Sequence, residues 1–296
     1  MQKFGAAQMA GRIEDARFLT GQGCYTDDIA AAGALFAAFL RAPVAHATIT
    51  GLDLSEAREM PGVHLVLIAS TLEAEGVRLG MAARQAPNRD GTLGANPMRP
   101  VLANGVMRFV GEPVAMVVAD TPEAARDAVE AIGLEYQDLA PSLGMHTDGP
   151  TIHPEAPGNR AYHYALGDDA AVEAALAASA HRIKLEVVQN RLAVAAMEPR
   201  ACLADWREGR LHFTFGGQGV WRQKAELARM LNLPPEAVRV TNRDVGGGFG
   251  MKGMPHPEYI PVAAAARMLG RPVRWASDRS EAMLSDNAAR DLVAET

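Results

Sequence analysis

The sequence predicts a mixed α/β (α+β) fold in two parts. Short apolar runs typical of buried strands alternate with segments whose apolar residues recur at helical spacing. Two stretches rich in glycine and proline, at about 76–100 and 140–160, interrupt this alternation. A chain of 296 residues is long enough for about two domains. We therefore expect a first domain over 1–140, a linker over 141–160 and a second domain over 161–296.

The first part contains three apolar runs that we predict as buried strands: Ala34–Leu40, Gly62–Ile68 and Pro113–Ala119. The third run leads into Thr121-Pro122-Glu123, which has the composition of a helix start. A threonine hydroxyl caps a helix, proline is tolerated at the first helical position, and glutamate is favoured in the first turn. Apolar residues at helical spacing continue this helix to Ile132, and a further strand begins at Glu135.

The second part begins with a predicted helix and then alternates strands with helices. The expected elements are a helix at Asp169–Ser179, strands at Arg182–Gln189, Arg200–Trp206 and Leu211–Phe215, a helix at Val220–Leu231, a strand at Val238–Thr241, a helix at Tyr259–Leu269 and a strand-like run at Pro272–Trp275. Pro234 and Pro235 end the second helix, and Gly270 ends the third.

Composition and charge exclude several classes of partner. The net charge is −6 and the chain has no run of basic residues, so we expect neither nucleic acid nor an anionic membrane as the main partner. No segment approaches the roughly 18–20 apolar residues that a membrane span needs. The first residues lack the apolar segment of a secretory signal. Cys24 and Cys202 are far apart in sequence, which fits a reduced, cytoplasmic protein.

Several catalytic and cofactor motifs are excluded by their context. Gly248–Gly253 formally matches G-x-G-x-x-G, but Pro255 and Pro257 follow too closely for the helix that a dinucleotide fingerprint requires. Lys252 is not followed by Ser or Thr, as it would be in a phosphate-binding Walker A loop. Two cysteines cannot hold an iron–sulfur cluster, and the histidines are scattered without metal-ligand spacing.

Two glycine-rich turns remain, and each follows a predicted strand. One turn, 216–219, contains Gln218, whose side chain offers one acceptor and two donors. The other, 246–250, contains Phe249 between glycines that allow the backbone to approach a ligand closely. Each turn alone is also compatible with a purely structural connection. Their occurrence in one domain favours a shared cofactor site.

With these motifs in their order, the sequence resembles a known family, the molybdenum-binding large subunits of xanthine dehydrogenases, aldehyde oxidases and carbon monoxide dehydrogenases. The resemblance extends from about Gly11 to Arg290. It rests on the order and spacing of the following segments and of the two glycine-rich turns: Arg12–Asp15, Phe18–Gly23, Tyr25–Ile29, Arg41–Pro43 with His46-Ala47, Arg108–Ala115 and Met197–Arg200.

The resemblance implies a fold and a cofactor. Residues 1–140 would form the family's α/β hammerhead domain, and 161–296 the first segment of its molybdopterin-binding domain. The cofactor would be molybdenum held by a molybdopterin, in bacteria usually the cytosine dinucleotide form, with no direct protein ligand to the metal. Gln218 would then lie near the molybdenum. Glu198 belongs to one of the shared segments, and we expect its carboxylate to bind local backbone rather than to transfer a proton. The residues expected to bind the cofactor are Gly217, Gln218, Gly247, Gly248, Phe249 and Gly250.

The resemblance also implies a reaction and partners. Members of the family carry out oxidative hydroxylation of aldehydes, N-heterocycles or similar small molecules, with water as the oxygen source and a glutamate as general base. Electrons then pass to iron–sulfur and FAD centres. Because this chain has no motif for those centres, the resemblance implies an iron–sulfur subunit and an FAD subunit as partners.

Two departures from the family pattern bear on this interpretation. No glutamate here matches the general base, which in the family lies in a C-terminal half that this chain does not contain. We therefore expect no catalytic residue in this chain, which would be a fragment or one half of a split subunit, and an exposed interface that needs a partner. Gly253 stands where animal-type enzymes carry a glutamate, so purine recognition through that group is not expected.

Two other functions remain open from the sequence. The chain could be a catalytically incomplete module for cofactor binding or assembly, lacking the half that carries the glutamate. Alternatively, it could be a nicotinamide-dependent dehydrogenase, but this depends on the G-x-G-x-x-G match discussed above.

Overall fold

The computed structural model describes residues 12–81, 85–145 and 148–296, so Gly11, where the resemblance begins, lies outside the described residues. The helices in these ranges are α1 (Asp15–Leu19), α2 (Ser55–Glu59), α3 (Ala69–Ala74), α4 (Pro122–Glu130), α5 (Asp169–Ala178), α6 (Trp221–Met230), α7 (Tyr259–Leu269) and α8 (Arg279–Ser285). Short 3₁₀ turns occur at Thr26–Asp28, Pro157–Asn159, Pro235–Ala237 and Met251–Gly253.

The strands complete a mixed α/β fold, as the sequence predicts. They are β1 (Leu35–Arg41), β2 (Ala47–Asp53), β3 (Val63–Leu67), β4 (Gly80–Met81), β5 (Arg99–Pro100), β6 (Val106–Met107), β7 (Pro113–Ala119), β8 (Gly133–Asp138), β9 (Glu186–Gln189), β10 (Ala201–Arg207), β11 (Arg210–Phe215), β12 (Val238–Thr241), β13 (Val273–Ala276) and β14 (Leu292–Glu295). None of the helices in the described ranges is both long and apolar enough to cross a membrane.

A seven-stranded mixed sheet organises the molecule, in the order β12-β11-β10-β13-β1-β7-β3. β12 runs parallel to β11, and β13 runs parallel to β1, while the other neighbours are antiparallel. β7 is buried along its whole length because neighbouring strands and α4 cover it. Three further small sheets pair β6-β2-β8, β9-β14 and β4-β5.

The large sheet takes strands from both of the predicted domains. β1, β7 and β3 come from the first segment of the chain, and β10 to β13 come from the second. The junction is the parallel pairing of β1 with β13, in which Leu35 lies opposite Val273 and Phe36 lies opposite Arg274. The two segments therefore share one hydrogen-bonded sheet. The domain boundaries stated above stay a prediction.

The core beneath the site is formed by α7, which is buried from Tyr259 to Ala266. Alanine at four successive positions lets this helix approach β10 and β13 closely. Tyr259 contacts the rings of Phe213, Phe215 and Trp275 at edge-to-face angles, with centroids 5.5 to 6.3 Å apart. Burying a large apolar side chain contributes roughly 1.5–3 kcal/mol. This cluster therefore holds β11 firmly at the position where its glycine-rich turn begins.

Some elements differ from the sequence-based expectation. The strand expected from Arg182 begins only at Glu186, and the loop expected over 76–100 contains the short pair β4 and β5. β2 is absent from the sequence prediction, although its alternation of apolar and polar residues before Gly51 is typical of a half-buried strand. Pairing with β8 stabilises it.

Candidate functional site

The two glycine-rich turns lie side by side at one edge of the large sheet. β11 and β12 are parallel neighbours, with Leu211 opposite Val238 and Thr214 opposite Thr241. Their carboxyl ends therefore meet at the same edge, which is where α/β sheets bind ligands. We call residues 216–219 the glutamine loop and residues 246–250 the phenylalanine loop.

Gln218 joins the two loops by a hydrogen bond that its side chain accepts, and it also bonds to the turn that follows the phenylalanine loop. Its side-chain Oε1 accepts a hydrogen bond from the backbone N–H of Gly250 at 2.8 Å. Its own backbone N–H donates to the carbonyl oxygen of Lys252 at 3.1 Å. Because Oε1 is engaged, the amide orientation is fixed, and Nε2 makes no hydrogen bond to any residue that the structure describes. Gln218 is exposed, so these two donor hydrogens are available to a ligand.

Glycine is required at the contact between the loops. A Cβ atom on Gly248 would lie 2.4 Å from Cδ of Gln218, well inside van der Waals contact. Gly247 has a φ of 100°, and a Cβ there would lie 2.7 Å from the ring of Phe249. Phe249 itself adopts a φ of 51° with its side chain largely exposed. The absence of side chains at 247 and 248 thus lets Gln218 and the Phe249 ring pack against the backbone.

Glu198 lies under both loops, immediately before β10. Its Oε2 accepts hydrogen bonds from the N–H of Gly246 and from Nζ of Lys252, both at 2.8 Å. Its backbone N–H donates to the carbonyl of Gly246 at 3.1 Å. The contacts with the Gly246 backbone agree with the structural role expected of this glutamate, whereas the ion pair with the Lys252 side chain was not expected. Asn242 adds a further bond, because its Nδ2 donates to the carbonyl of Gly217 at 2.7 Å.

The start of the phenylalanine loop is tied to the beginning of the chain. Both Arg17 guanidinium Nη atoms donate to the carboxylate of Asp244, and the N–H of Cys24 donates to the same carboxylate at 2.8 Å. The hydrogen bond from Arg17, followed by that from Cys24, lowers the pKa of Asp244 to about 2. Asp244 is therefore ionised at neutral pH and anchors residues 17–24 to the site.

His256 supports the other end of the phenylalanine loop. Its Nε2–H donates to the carbonyl of Met251 at 3.2 Å, and its side chain is completely buried. Burial, followed by the positive charge of Arg200, lowers the pKa of His256 well below its usual value. The imidazole is therefore neutral and acts as a structural donor.

The donor set of the two loops fits a cofactor that brings its own metal ligands. In the described residues, the N–H groups of Gly247, Gly248 and Phe249 make no hydrogen bonds, and Nε2 of Gln218 adds two further donors. Successive free amides of this kind form concavities that bind anions. The described part of the chain gathers no group of three or more His, Cys, Asp or Glu side chains around a possible metal position. Among the described residues, the two loops thus offer mainly hydrogen-bond donors.

A cavity of about 1230 Å³ adjoins this region beside the 3₁₀ turn after the phenylalanine loop. Its lining includes Met254, Pro255 and Arg222, together with Arg99 and Asp286. Gln218 and Phe249 do not line it. The cavity therefore lies next to the predicted cofactor-binding residues and not between them.

The G-x-G-x-x-G match proves not to open a helix. Residues Met251–Gly253 form a 3₁₀ turn, and the next helix begins six residues beyond Gly253, at Tyr259.

The sequence interpretation overlooked the roles of Lys252, Asn242 and Asp244. The position of Asp244 two residues before the glycines is an available signal, whereas nothing in the sequence indicates that Lys252 is buried.

Two family models together match most of the chain. Residues 20–140 match the a/b hammerhead domain of aldehyde oxidase and xanthine dehydrogenase. Residues 152–296 match the molybdopterin cofactor-binding domain. The chain belongs to the aldehyde oxidase and xanthine dehydrogenase family.

Individual relatives include the large subunits of two enzymes and one solved oxidoreductase structure. The nicotine 6-hydroxylase large subunit of Paenarthrobacter nicotinovorans is 38% identical over 290 residues, which cover 95% of this chain and 34% of that protein. The carbon monoxide dehydrogenase large chain of Hydrogenophaga pseudoflava is 31% identical over 94% of this chain and 36% of its own length. Quinoline 2-oxidoreductase from Pseudomonas putida 86 matches with a TM-score of 0.87 and 34% identity, over 96% of this chain and 36% of that one. The chain thus spans about a third of the length of these relatives.

Proposed function

We propose that this chain is part of the molybdenum-binding subunit of a hydroxylase. The enzyme would oxidise an aldehyde, an N-heterocycle or a similar small molecule, taking its oxygen atom from water. The observation that carries the proposal is the bond between Gln218 and Gly250, which fixes two glycine-rich loops as one donor surface. The names of the nicotine- and quinoline-oxidising relatives favour an N-heterocycle as the first substrate to test.

The residues of this chain would bind and orient the cofactor. Gln218 would present Nε2 to an acceptor atom beside the metal, and the free N–H groups of Gly247, Gly248 and Phe249 would bind further acceptor atoms. The ring of Phe249 would form a wall of the pocket and exclude water from it. A bound molybdopterin would supply the oxidation–reduction chemistry. This chemistry would need no metal ligand from the protein.

The proton transfer in this proposal requires a residue from outside this chain. The family's general-base glutamate lies in the part of the subunit that this chain does not cover. Glu198 does not substitute for it, because its Oε2 is already bound to Gly246 and to the Lys252 ammonium. The remaining part of the molybdenum subunit would therefore complete the active site.

Exposed apolar residues support the proposal that further protein covers this chain. β9 and β14 form a two-stranded sheet that is exposed on both strands, and such a pair is marginally stable alone in water. Leu166 and Ile183 are each 88% exposed. We infer that the C-terminal half of the molybdenum subunit packs here. An iron–sulfur subunit and an FAD subunit would accept the electrons, and the complex would be cytoplasmic.

The experiment is to isolate the complex that contains this chain and measure its molybdenum and pterin nucleotide content. A quinoline, an aldehyde, xanthine and carbon monoxide are then tested in ¹⁸O-labelled water. The proposal expects molybdenum, a cytosine dinucleotide form of the cofactor, and label in one product. Activity without molybdenum would overturn it, as would NAD binding by a complex without molybdenum. Full cofactor content with no activity would instead favour the incomplete cofactor-binding module.

A further inference from the structure

We propose that Lys252 and Glu198 are positioning residues, whose buried ion pair sets the spacing of the glutamine and phenylalanine loops before a cofactor binds. The nature of the cofactor rests on the function proposed above, whereas the spacing of the loops does not. The ion pair is a contact between Nζ of Lys252 and Oε2 of Glu198 at 2.8 Å.

Lys252 connects the two loops through different atoms. Its carbonyl oxygen accepts the hydrogen bond from the backbone N–H of Gln218. Its ammonium donates to Glu198, and that carboxylate also accepts the N–H of Gly246. The backbone N–H of Gly250 donates to the side chain of Gln218, which links the phenylalanine loop back to the glutamine loop. Movement of either loop would therefore break a hydrogen bond on the other.

The carboxylate of Glu198 also fits against the start of the glutamine loop. A Cβ atom on Gly216 would lie 2.7 Å from Oε1 and 2.8 Å from Oε2 of Glu198. The carboxylate thus occupies the space that a side chain at 216 would fill. One residue consequently contacts the first glycine of both loops, Gly216 by packing and Gly246 by hydrogen bonding.

The charge of Lys252 requires this partner. The lysine side chain is 0% exposed and that of Glu198 is 12% exposed. A buried ammonium is unfavourable unless an opposite charge compensates it, so removal of either partner leaves an uncompensated charge under the loops. Because its side chain is inaccessible, Lys252 acts on a ligand through loop position and not through direct contact.

The test uses the complete complex in cofactor-free and loaded forms, with hydrogen exchange measured peptide by peptide. Lys252→Met removes the ammonium, and Glu198→Gln removes the carboxylate charge. In the cofactor-free form, we expect amide exchange in peptides covering 216–219 and 246–253 to become at least about tenfold faster in either variant, because exchange reports local opening. A peptide covering β10 should remain unchanged, which distinguishes loop movement from unfolding.

Gly216→Ala provides a second variant that keeps both charges. Its methyl group would displace the Glu198 carboxylate, so the same peptides should exchange faster. Arg207→Met is the matched control, because the exposed Arg207 forms a 3.4 Å ion pair with Asp205 at the end of β10 that lies away from the loops. It should leave exchange at both loops unchanged.

Cofactor loading gives the second readout. We expect the two charge variants to retain less molybdenum and pterin per folded complex, and the molybdenum electron paramagnetic resonance signal of the loaded fraction to change. Unchanged exchange at both loops in Lys252→Met, Glu198→Gln and Gly216→Ala would overturn the inference. If the loops loosen but the unmodified complex contains no molybdenum, the ion pair keeps its positioning role and the proposed function fails.

Discussion

The side chain of Gln218 and the backbone of Gly250 are joined by a 2.8 Å hydrogen bond in which Oε1 is the acceptor. The two residues are 32 positions apart and follow neighbouring parallel strands. Since the carbonyl side of the amide is engaged, the donor side is left for a ligand. This geometry gives the glutamine a fixed orientation, so disturbing the contact should affect cofactor binding more than folding.

Gly248→Ala tests that contact directly. The added Cβ would meet Cδ of Gln218 at 2.4 Å, so the amide must move away from Gly250. Losing the hydrogen bond that fixes the amide costs about 0.5–1.5 kcal/mol, or roughly twofold to tenfold in cofactor affinity. We expect cofactor content to fall while the thermal midpoint of the cofactor-free complex stays near that of the unmodified protein. Metal and pterin analysis measures the first, and calorimetry the second.

Gly253→Ala is the matched control for this prediction. Its Cβ would lie 3.8 Å from Gln218, which is an ordinary van der Waals distance. Equal cofactor content in the 248 and 253 variants would show that the position of Gln218 does not govern binding.

Arg17→Ala should make stability depend on pH in a defined direction. Arg17 and Cys24 lower the pKa of Asp244 from 3.8 to about 2 in the folded state. A lowered folded-state pKa contributes stability above the unfolded-state value, and this contribution is lost as the pH falls toward 2. The difference in thermal midpoint between unmodified protein and variant should therefore be constant between pH 5 and 7 and shrink on acidification below about 4.

The surface control for this measurement is Arg58→Ala, since Arg58 is an exposed residue of α2. It should give a small difference that does not vary in the same pH range. A difference for Arg17→Ala that grows on acidification would contradict the assigned role of Asp244.

Local elements were predictable from the sequence because their signals are local. The bounds of Pro113–Ala119 and Val238–Thr241 agree with the prediction, and Thr121 caps α4 through a 3.1 Å bond from the N–H of Ala124. Gly270 ends α7 with a φ of 60°, as a left-handed terminal glycine does. Each of these features depends on a few consecutive residues.

Long-range relationships were not predictable in the same way. The pairing of Leu35 with Val273 joins residues far apart in sequence, and no periodicity specifies it. The burial of Lys252 depends on Glu198, and lysines are usually exposed, so composition alone indicates the opposite environment. The sequence identified the two loops of the candidate site, whereas the ion pair beneath them required the structure.

Arg200→Met should destabilise the protein strongly. Arg200 and Glu258 are both fully buried and form an ion pair that Asp286 and Arg41 extend. Burial raises the pKa of Glu258, but Arg200 and Arg41 outweigh burial and hold it well below its usual value. Removing one member of a buried pair costs about 3–5 kcal/mol because the other charge is left uncompensated. Urea unfolding followed by tryptophan fluorescence measures this, since Trp275, one of the three tryptophans, lies 5.2 Å from the Arg200 guanidinium.

The double variant Arg200→Met/Glu258→Gln separates pairing from packing. Residues in one ion-pair network have non-additive effects, so the double variant should cost less than the sum of the two single variants. Strict additivity would show that the two side chains contribute independently of each other.

Phe249→Ala should separate substrate binding from stability. The ring is 74% exposed, and alanine at a φ of 51° carries the same backbone strain, so the unfolding free energy should change by about 0.5 kcal/mol or less. If the ring forms a pocket wall, an aromatic substrate loses a contact of about 0.5–1.5 kcal/mol. The value of kcat/KM for a quinoline should then fall roughly twofold to tenfold, and that for acetaldehyde should fall less.

Leu143→Ala, which truncates another side chain with 73% exposure, is the matched control and should leave both values unchanged. An equal loss for the two substrates at full cofactor content would rule out the assignment of Phe249 as a wall for aromatic substrates.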